Sequence, residues 1–192
     1  MRSKWFLILG ICLILASIGF GLFFGIRGYL GEKECREIAA QLEAALPERT
    51  PGAGKDYILS DMPVWNLSGV DYVALLEVPA FGVTLPVADQ WNADMLHISP
   101  CRFSGSAYDC TMVIGGTDSQ GQFFFCDQID QGAFCYLTDM TGRRFAYTVV
   151  RVDRGEHADA QWLTSGQYDL TLFCRDAYSM GYIAVRCNSA AG

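Results

Sequence analysis

Residues 72–87 read YVALLEVPAFGVTLPV: two aliphatic and β-branched runs, Tyr72–Val78 and Val83–Val87, on either side of Pro-Ala-Phe-Gly. Short apolar runs interrupted by Pro and Gly in this way read as two strands joined by a turn. The same texture extends outward. Thr111–Ile114 (TMVI), Phe134–Thr138 (FCYLT), Arg144–Val152 (RFAYTVVRV), Leu170–Cys174 (LTLFC) and Tyr182–Cys187 (YIAVRC) are further short β-prone runs, and Gly-Gly-Thr-Asp, Asp-Met-Thr-Gly and Ser-Gly-Gln supply turn chemistry between them. About seven or eight short strands in roughly 135 residues predict one all-β body, closed as a barrel or packed as a sandwich. No repeat and no low-complexity stretch interrupts it.

Upstream the chain changes character. Trp5 to Ile26 is an apolar run of 22 residues without a charge. At about 1.5 Å per residue it spans roughly 33 Å, enough for a bilayer core of ~30 Å. Arg2 and Lys4 precede it and predict a cytoplasmic N-terminus, by the positive-inside bias. The run exceeds the roughly 7–15 residues of a signal-peptide core, and no A-x-A site follows it. The expected organisation is a cytoplasmic tip (1–4), a transmembrane anchor (5–26), a helical stalk and linker (27–56), and a β-barrel domain (57–189) outside the cytoplasm. In the stalk, Glu32–Leu46 carries Ile38, Leu42 and Ala45 at helical spacing, and Pro47 ends it. Residues 48–55 read as a turn-rich linker.

Charge excludes one class of partner. The net charge is −7, and the part beyond Glu32 is more acidic still, because Arg2, Lys4 and Arg27 all precede it. No basic stripe is left to neutralise phosphates, so nucleic acid is not an expected partner. The same charge would repel anionic lipid, so adhesion of the body to a membrane surface is not expected either. Cys101, Cys110, Cys126, Cys135, Cys174 and Cys187 lie in the body; outside the cytoplasm they are permitted to pair, and six cysteines allow 15 pairings that the sequence does not choose among. No CxxC pair occurs and only His97 and His157 are present, so no metal and no cofactor is expected.

Several stretches, in order, resemble the sortases, membrane-anchored cysteine transpeptidases of Gram-positive surfaces, and the class B-like branch in particular. Tyr72–Val87 is similar to the family's opening strand pair, Ser99–Ala107 (SPCRFSGSA) to its Pro-Cys-Arg-Tyr-Ser-Gly-Ser stretch, Val113–Gly116 (VIGG) to Val-Ile-Ala-Gly, and Tyr168–Phe173 (YDLTLF) with Ala184–Cys187 (AVRC) to its last two strands. The resemblance implies a mainly β fold, an eight-stranded barrel with short helices and a peptide groove beside the last strands. It also implies thiol acyl transfer: a cysteine attacks a peptide carbonyl, a histidine moves protons and an arginine steadies the oxyanion.

At those three positions this chain departs from the family. Thr117 stands at the histidine position, Arg175 at the nucleophile and Tyr182 at the arginine. A hydroxyl titrates far too high to carry protons, and a guanidinium is no nucleophile. No catalytic residue is intact. Thr117, Phe173, Arg175 and Tyr182 are the expected groove residues. A one-residue slip would make Cys174 a fallback nucleophile, with His157 as fallback base and Arg175 or Arg186 at the oxyanion. Strand alternation opposes it, because Cys174 shares a face with Leu170 and Leu172 unless a bulge intervenes. His97 and His157 read as loop histidines, Asp118 and Ser119 as turn residues, and Tyr108 and Phe123–Phe125 as core or groove wall. Trp91 and Trp162 read as core, with the groove as the alternative. Asp153, Glu156 and Asp159 read as a solvated acidic loop; calcium is the alternative, by analogy with sortases that bind it near the groove.

The leading expectation is a pseudosortase that binds a sorting-signal peptide, a surface or pilin-like protein, or an active sortase. An active transpeptidase using Cys174 and a purely structural surface module are the alternatives.

Overall fold

The structure is a computed structural model and describes residues 2–52, 61–165, 167–176 and 178–190, for 2–9, 24 and 27 the backbone alone. The expected boundary at 56/57 lies outside these residues. Helix α1 (Arg2–Ala45) runs without a break through both the apolar run and the stalk. Leu13, Ile14 and Leu15 are each more than half exposed, so the barrel does not bury these apolar side chains of the span. This is one helix long and apolar enough to cross a membrane.

Ten strands follow: β1 (Thr50–Pro51), β2 (Trp65–Leu67), β3 (Val70–Val78), β4 (Val83–Ala88), β5 (Cys101–Ser104), β6 (Met112–Gly116), β7 (Phe134–Asp139), β8 (Arg143–Gly155), β9 (Leu170–Arg175) and β10 (Tyr182–Ser189). A short helix α2 (Ala160–Leu163) lies between β8 and β9. Pairing runs β8-β10-β9-β6-β5-β4-β3, and β7 pairs with both β3 and β8. That second set of ladders closes eight strands into a barrel and leaves no free edge among them. The two short strands flank it: β2 extends β3, and β1 lies parallel to β8, with Thr50 beside Arg143 and Pro51 beside Arg144.

All seven runs read as strands are strands. The eighth barrel strand, β5, went unread because Cys-Arg-Phe-Ser offers no β-branched alternation between Pro100 and Gly105. Part of the stretch read as linker is β1. The stalk's packed stripe also differs: Cys35, Ala39 and Leu42 are buried, Ile38 is half-buried and Ala45 is exposed. Ala39 and Leu42 sit on Tyr72, Leu75, Ala88, Cys101 and Met140. Small side chains let the helix approach the sheet, so the buried phase follows size as well as hydropathy.

Inside the barrel Leu76, Ile114, Leu137, Leu172 and Val185 form the core, and Phe123 and Phe125 enter it from the segment after β6. Cys101, Cys126, Cys135, Cys174 and Cys187 are buried thiols outside any disulfide. Burial holds the Cys126 thiol well above its usual range, and a hydrogen bond shared with Cys174 adds to that. Cys187 is held high first by its bond with Cys135 and then by burial.

The β8–β9 connection is tied down by one charged side chain. Arg186 on β10 is fully buried. It donates to the Leu163 carbonyl at 2.6 Å, the Trp162 carbonyl at 2.7 Å, Thr171 Oγ1 at 3.2 Å and Asp153 Oδ2 at 3.3 Å. Trp162 and Tyr168 cover its guanidinium, with ring centroids at 5.1 and 5.4 Å. These partners engage all three guanidinium nitrogens, so the side chain holds α2 against the sheet. Arg186→Ala removes all four of these bonds, takes the donor from the Leu163 carbonyl and leaves Asp153 with Arg151 alone, which costs about 3–5 kcal/mol. Urea denaturation in detergent micelles will show a lowered midpoint, with α2 the first segment to lose hydrogen-exchange protection.

Candidate functional site

β6 and β9 run parallel, with Gly115 beside Phe173 and Gly116 beside Cys174, while β10 pairs Tyr182 with Arg175. Thr117 is the next residue after β6. The ends of three adjacent strands therefore bring Thr117, Arg175 and Tyr182 side by side, with Arg175 in the middle. All three line one groove of about 590 Å³, together with Phe173, Trp91, Phe103, Asp118 and Met180.

The groove floor is aromatic. Trp91 stacks on Phe173, with centroids 5.7 Å apart and planes 19° off parallel, and Phe103 meets both edge-on at 5.4 and 5.5 Å. Gly115 makes this possible: a Cβ there would collide with the Trp91 ring and come within 2.7 Å of Phe173. Gly116 is pressed from the other side by Phe123, at 2.8 Å from a would-be Cβ. Leu163 and Ala184 back the floor. Trp91 thus lines the groove, whereas Trp162 covers Arg186. Phe103, Leu96 and Met180 were not among the expected groove residues; Gly115, where the sortases carry alanine, was the signal that a large ring lies here.

Polar groups converge on this floor from three sides. Thr117 is half-buried, its amide accepted by Gln122 Oε1 at 3.0 Å and its hydroxyl 3.1 Å from Ser119 Oγ, so it belongs to a tight turn. Arg175 is exposed and makes no ion pair with another described residue. Asp176 behind it is committed: Ser179 Oγ donates to it at 2.6 Å and the Tyr178 amide at 2.8 Å. Those bonds hold its carboxyl below the usual carboxylate range, so it stays charged at neutral pH and anchors the β9–β10 hairpin. Arg175 is left as the cation available to a ligand.

The fallback residues are not assembled. Cys174 is 1% exposed and sits in the barrel core, its Sγ directed at the Phe123 carbonyl 4.0 Å away. β9 keeps an unshifted register against both neighbours, so no bulge turns the thiol outward. His157 is exposed in the β8–β9 connection, and it is the neighbouring Ala158 that reaches the groove. His97 lies against α1, in a separate cleft of about 310 Å³ lined by Gly31, Glu32, Thr117 and Ser119. Arg186 is held under α2. The acidic loop is likewise engaged: Asp153 pairs with Arg151 and Arg186, and Asp159 caps α2 by accepting the Trp162 amide at 2.6 Å. Tyr108, Phe123 and Phe125 are core residues.

Two measurements follow from this geometry. The Cys174 thiol will resist alkylation in the folded protein and react only as the barrel unfolds, whereas a groove thiol would react at once; peptide mapping after timed alkylation separates the two. Gly115→Val will drive Trp91 off Phe173, destabilise the barrel by about 1–3 kcal/mol and red-shift tryptophan emission.

No family model and no curated protein sequence matches the chain. Solved structures do. Sortase C from Clostridium perfringens, determined with the C-terminal cell wall sorting motif, is 19% identical with a TM-score of 0.54, over 64% of this chain and 72% of that one. A Clostridium perfringens sortase D5 transpeptidase is 18% identical with a TM-score of 0.54, over 63% and 80%. A lid mutant of Corynebacterium diphtheriae sortase A is 17% identical with a TM-score of 0.54, over 63% and 71%. The chain therefore has the sortase-like fold. The likeness spans classes C, D and A and does not single out the class B-like branch.

Proposed function

We propose that this chain is a member of the sortase family whose catalytic constellation has been replaced, and that it binds a peptide or surface-protein segment in the groove between the β8–β9 connection and the β9–β10 hairpin. One observation carries this reading. The three positions that would hold histidine, cysteine and arginine lie side by side on the groove floor, and they are Thr117, Arg175 and Tyr182. Acyl transfer needs a thiolate beside a proton carrier. Among the described residues the groove holds no imidazole, and its one cysteine, Cys174, turns its thiol into the core.

What the groove offers instead is recognition. An aromatic floor accepts apolar side chains, and Arg175 favours a carboxylate or other planar anion through paired N–H donors. The ligand that fits is an extended segment with apolar residues and an acidic group, carried by a sorting-signal peptide or a pilin-like surface protein. An active sortase is a further candidate partner. The apolar run in α1 is the anchor, with the N-terminus in the cytoplasm and the barrel outside it.

The test is intact-mass spectrometry of the reduced protein after incubation with sorting-signal peptides that bear a thiol-trapping carbonyl. Retention of particular peptides without a mass adduct is expected. An adduct on Cys174 would overturn the proposal and establish a transpeptidase. For retained peptides, Arg175→Ala will weaken binding by roughly 10-fold or more, as loss of one charge-assisted pair does, and added salt will weaken the parent more than the variant. Unchanged affinity would remove the carboxylate role.

A further inference from the structure

The barrel is fixed to α1 in a defined place. Gly31 lies so close to the chain at His97 that a Cβ would come within 2.6 Å of the His97 carbonyl oxygen, and Gly121 packs on Glu32, 2.7 Å from a would-be Cβ to its Cγ. Further along the helix, Ala39 and Leu42 pack beside Met140, and the turn at Gly142 meets the Glu48 carbonyl, 3.0 Å from a would-be Cβ. The helix thus runs up the barrel wall, from the loops at Met95–His97 and Thr117–Gly121 to the β7–β8 turn. β8 begins at that turn and ends at Gly155, opposite Tyr182. The groove is therefore at the end of the barrel from which α1 departs toward the apolar run.

Distance along the helix sets the height. Five residues separate Ile26 from Gly31, a rise of about 8 Å. The polar headgroup zone on each side of the hydrocarbon is roughly 5–8 Å deep. The groove-end loops stand at its outer boundary, with no flexible spacer to lift them away. That end also carries the two most exposed large apolar side chains among the described residues of the barrel, Tyr178 at 90% and Met180 at 77%, with Trp91 at 44% beside them and Tyr29 of α1, 67% exposed, at the same level. Aromatic rings with a polar tip and Met are suited to the water–lipid boundary.

We propose that the groove end of the barrel rests on the bilayer surface, with Tyr178 and Met180 of the β9–β10 hairpin entering the headgroup layer. The proposal rests on the anchored reading of α1. The partner is a lipid surface of low anionic charge. The body is acidic, so the anchor supplies proximity and the apolar side chains supply the contact, with no electrostatic attraction. The groove then opens along the membrane plane.

The full chain, with Cys12→Ser, is placed in phosphatidylcholine nanodiscs and spin-labelled at Tyr178→Cys, Met180→Cys, Ala44→Cys or Leu15→Cys; the remaining native thiols are buried. The ratio of collision with oxygen to collision with a water-soluble nickel chelate reads depth. Ala44 is exposed and about 27 Å beyond Ile26, so it reports bulk water. Leu15 reports the anchor. The expected result is a ratio at residues 178 and 180 several-fold above that at 44, unchanged by high salt and reduced by added phosphatidylglycerol. A deep signal at Leu15 with 178 and 180 equal to 44 overturns this proposal and leaves the anchor intact. An aqueous signal at Leu15 overturns the anchored reading and this proposal with it. Dipolar broadening at 178 with an aqueous ratio overturns it in favour of contact between two copies.

Discussion

The parallel ladder between β6 and β9 is the constraint on which the groove depends. A parallel pair cannot be joined by a tight turn, so a long excursion separates Gly116 from Leu170. Along it the chain lays down the Phe123–Phe125 segment, β7, β8 and α2. β7 and β8 complete the barrel wall, Phe123 and Phe125 fill its interior, and α2 is held against the outside by Arg186. One register, Gly116 beside Cys174, then decides that the residue after β6 and the last residue of β9 end side by side. Slipping that ladder by one residue would turn Cys174 outward and put Phe173 into the core. The two glycines oppose such a slip, because Phe123 presses on one face of the pair and Trp91 with Phe173 on the other.

The same ladder separates the groove positions from the residues that hold the architecture. Thr117, Arg175 and Tyr182 lie at strand ends and line the groove, with Tyr182 packed in part on the floor. The residues just inside them, Ile114, Leu172 and Ile183, carry the core. Substitution at the ends changes chemistry without changing the barrel, as expected of a fold that hosts its function at the mouths of its strands. The guanidinium of Arg175, at the last residue of β9, places a fixed positive charge in the groove.

Legibility followed physical locality. Tyr72–Val78, Val83–Val87 and the later runs were readable because β-branched and aromatic residues alternate within them and turn residues bound them. Cys101–Ser104 was not, since its pairing with β6 and the one ladder pair with β4, Ala88 beside Cys101, come from the closed barrel and leave no local pattern. In the stalk, Cys35 and Ala39 are buried because they are small, a property that apolar periodicity underrates. At the site, counting along a family-like motif located Thr117, Arg175 and Tyr182, and alternation along Leu170–Arg175 located the Cys174 thiol. Phe173 was an expected groove residue and Trp91 an alternative one, but Phe103 and the stacking of the three rings escaped, because they come from three separated segments.

By itself the sequence determined what depends on composition and short-range period: a 22-residue apolar span, a β-rich body, an acidic net charge, and Thr117, Arg175 and Tyr182 where the motif count falls. Tertiary structure alone decided that these positions adjoin, that Arg186 is consumed in holding α2, and that α1 approaches the barrel at its groove end. Each of those outcomes is a meeting of residues far apart in the chain. Such meetings are set by strand register and close packing, which no local pattern encodes.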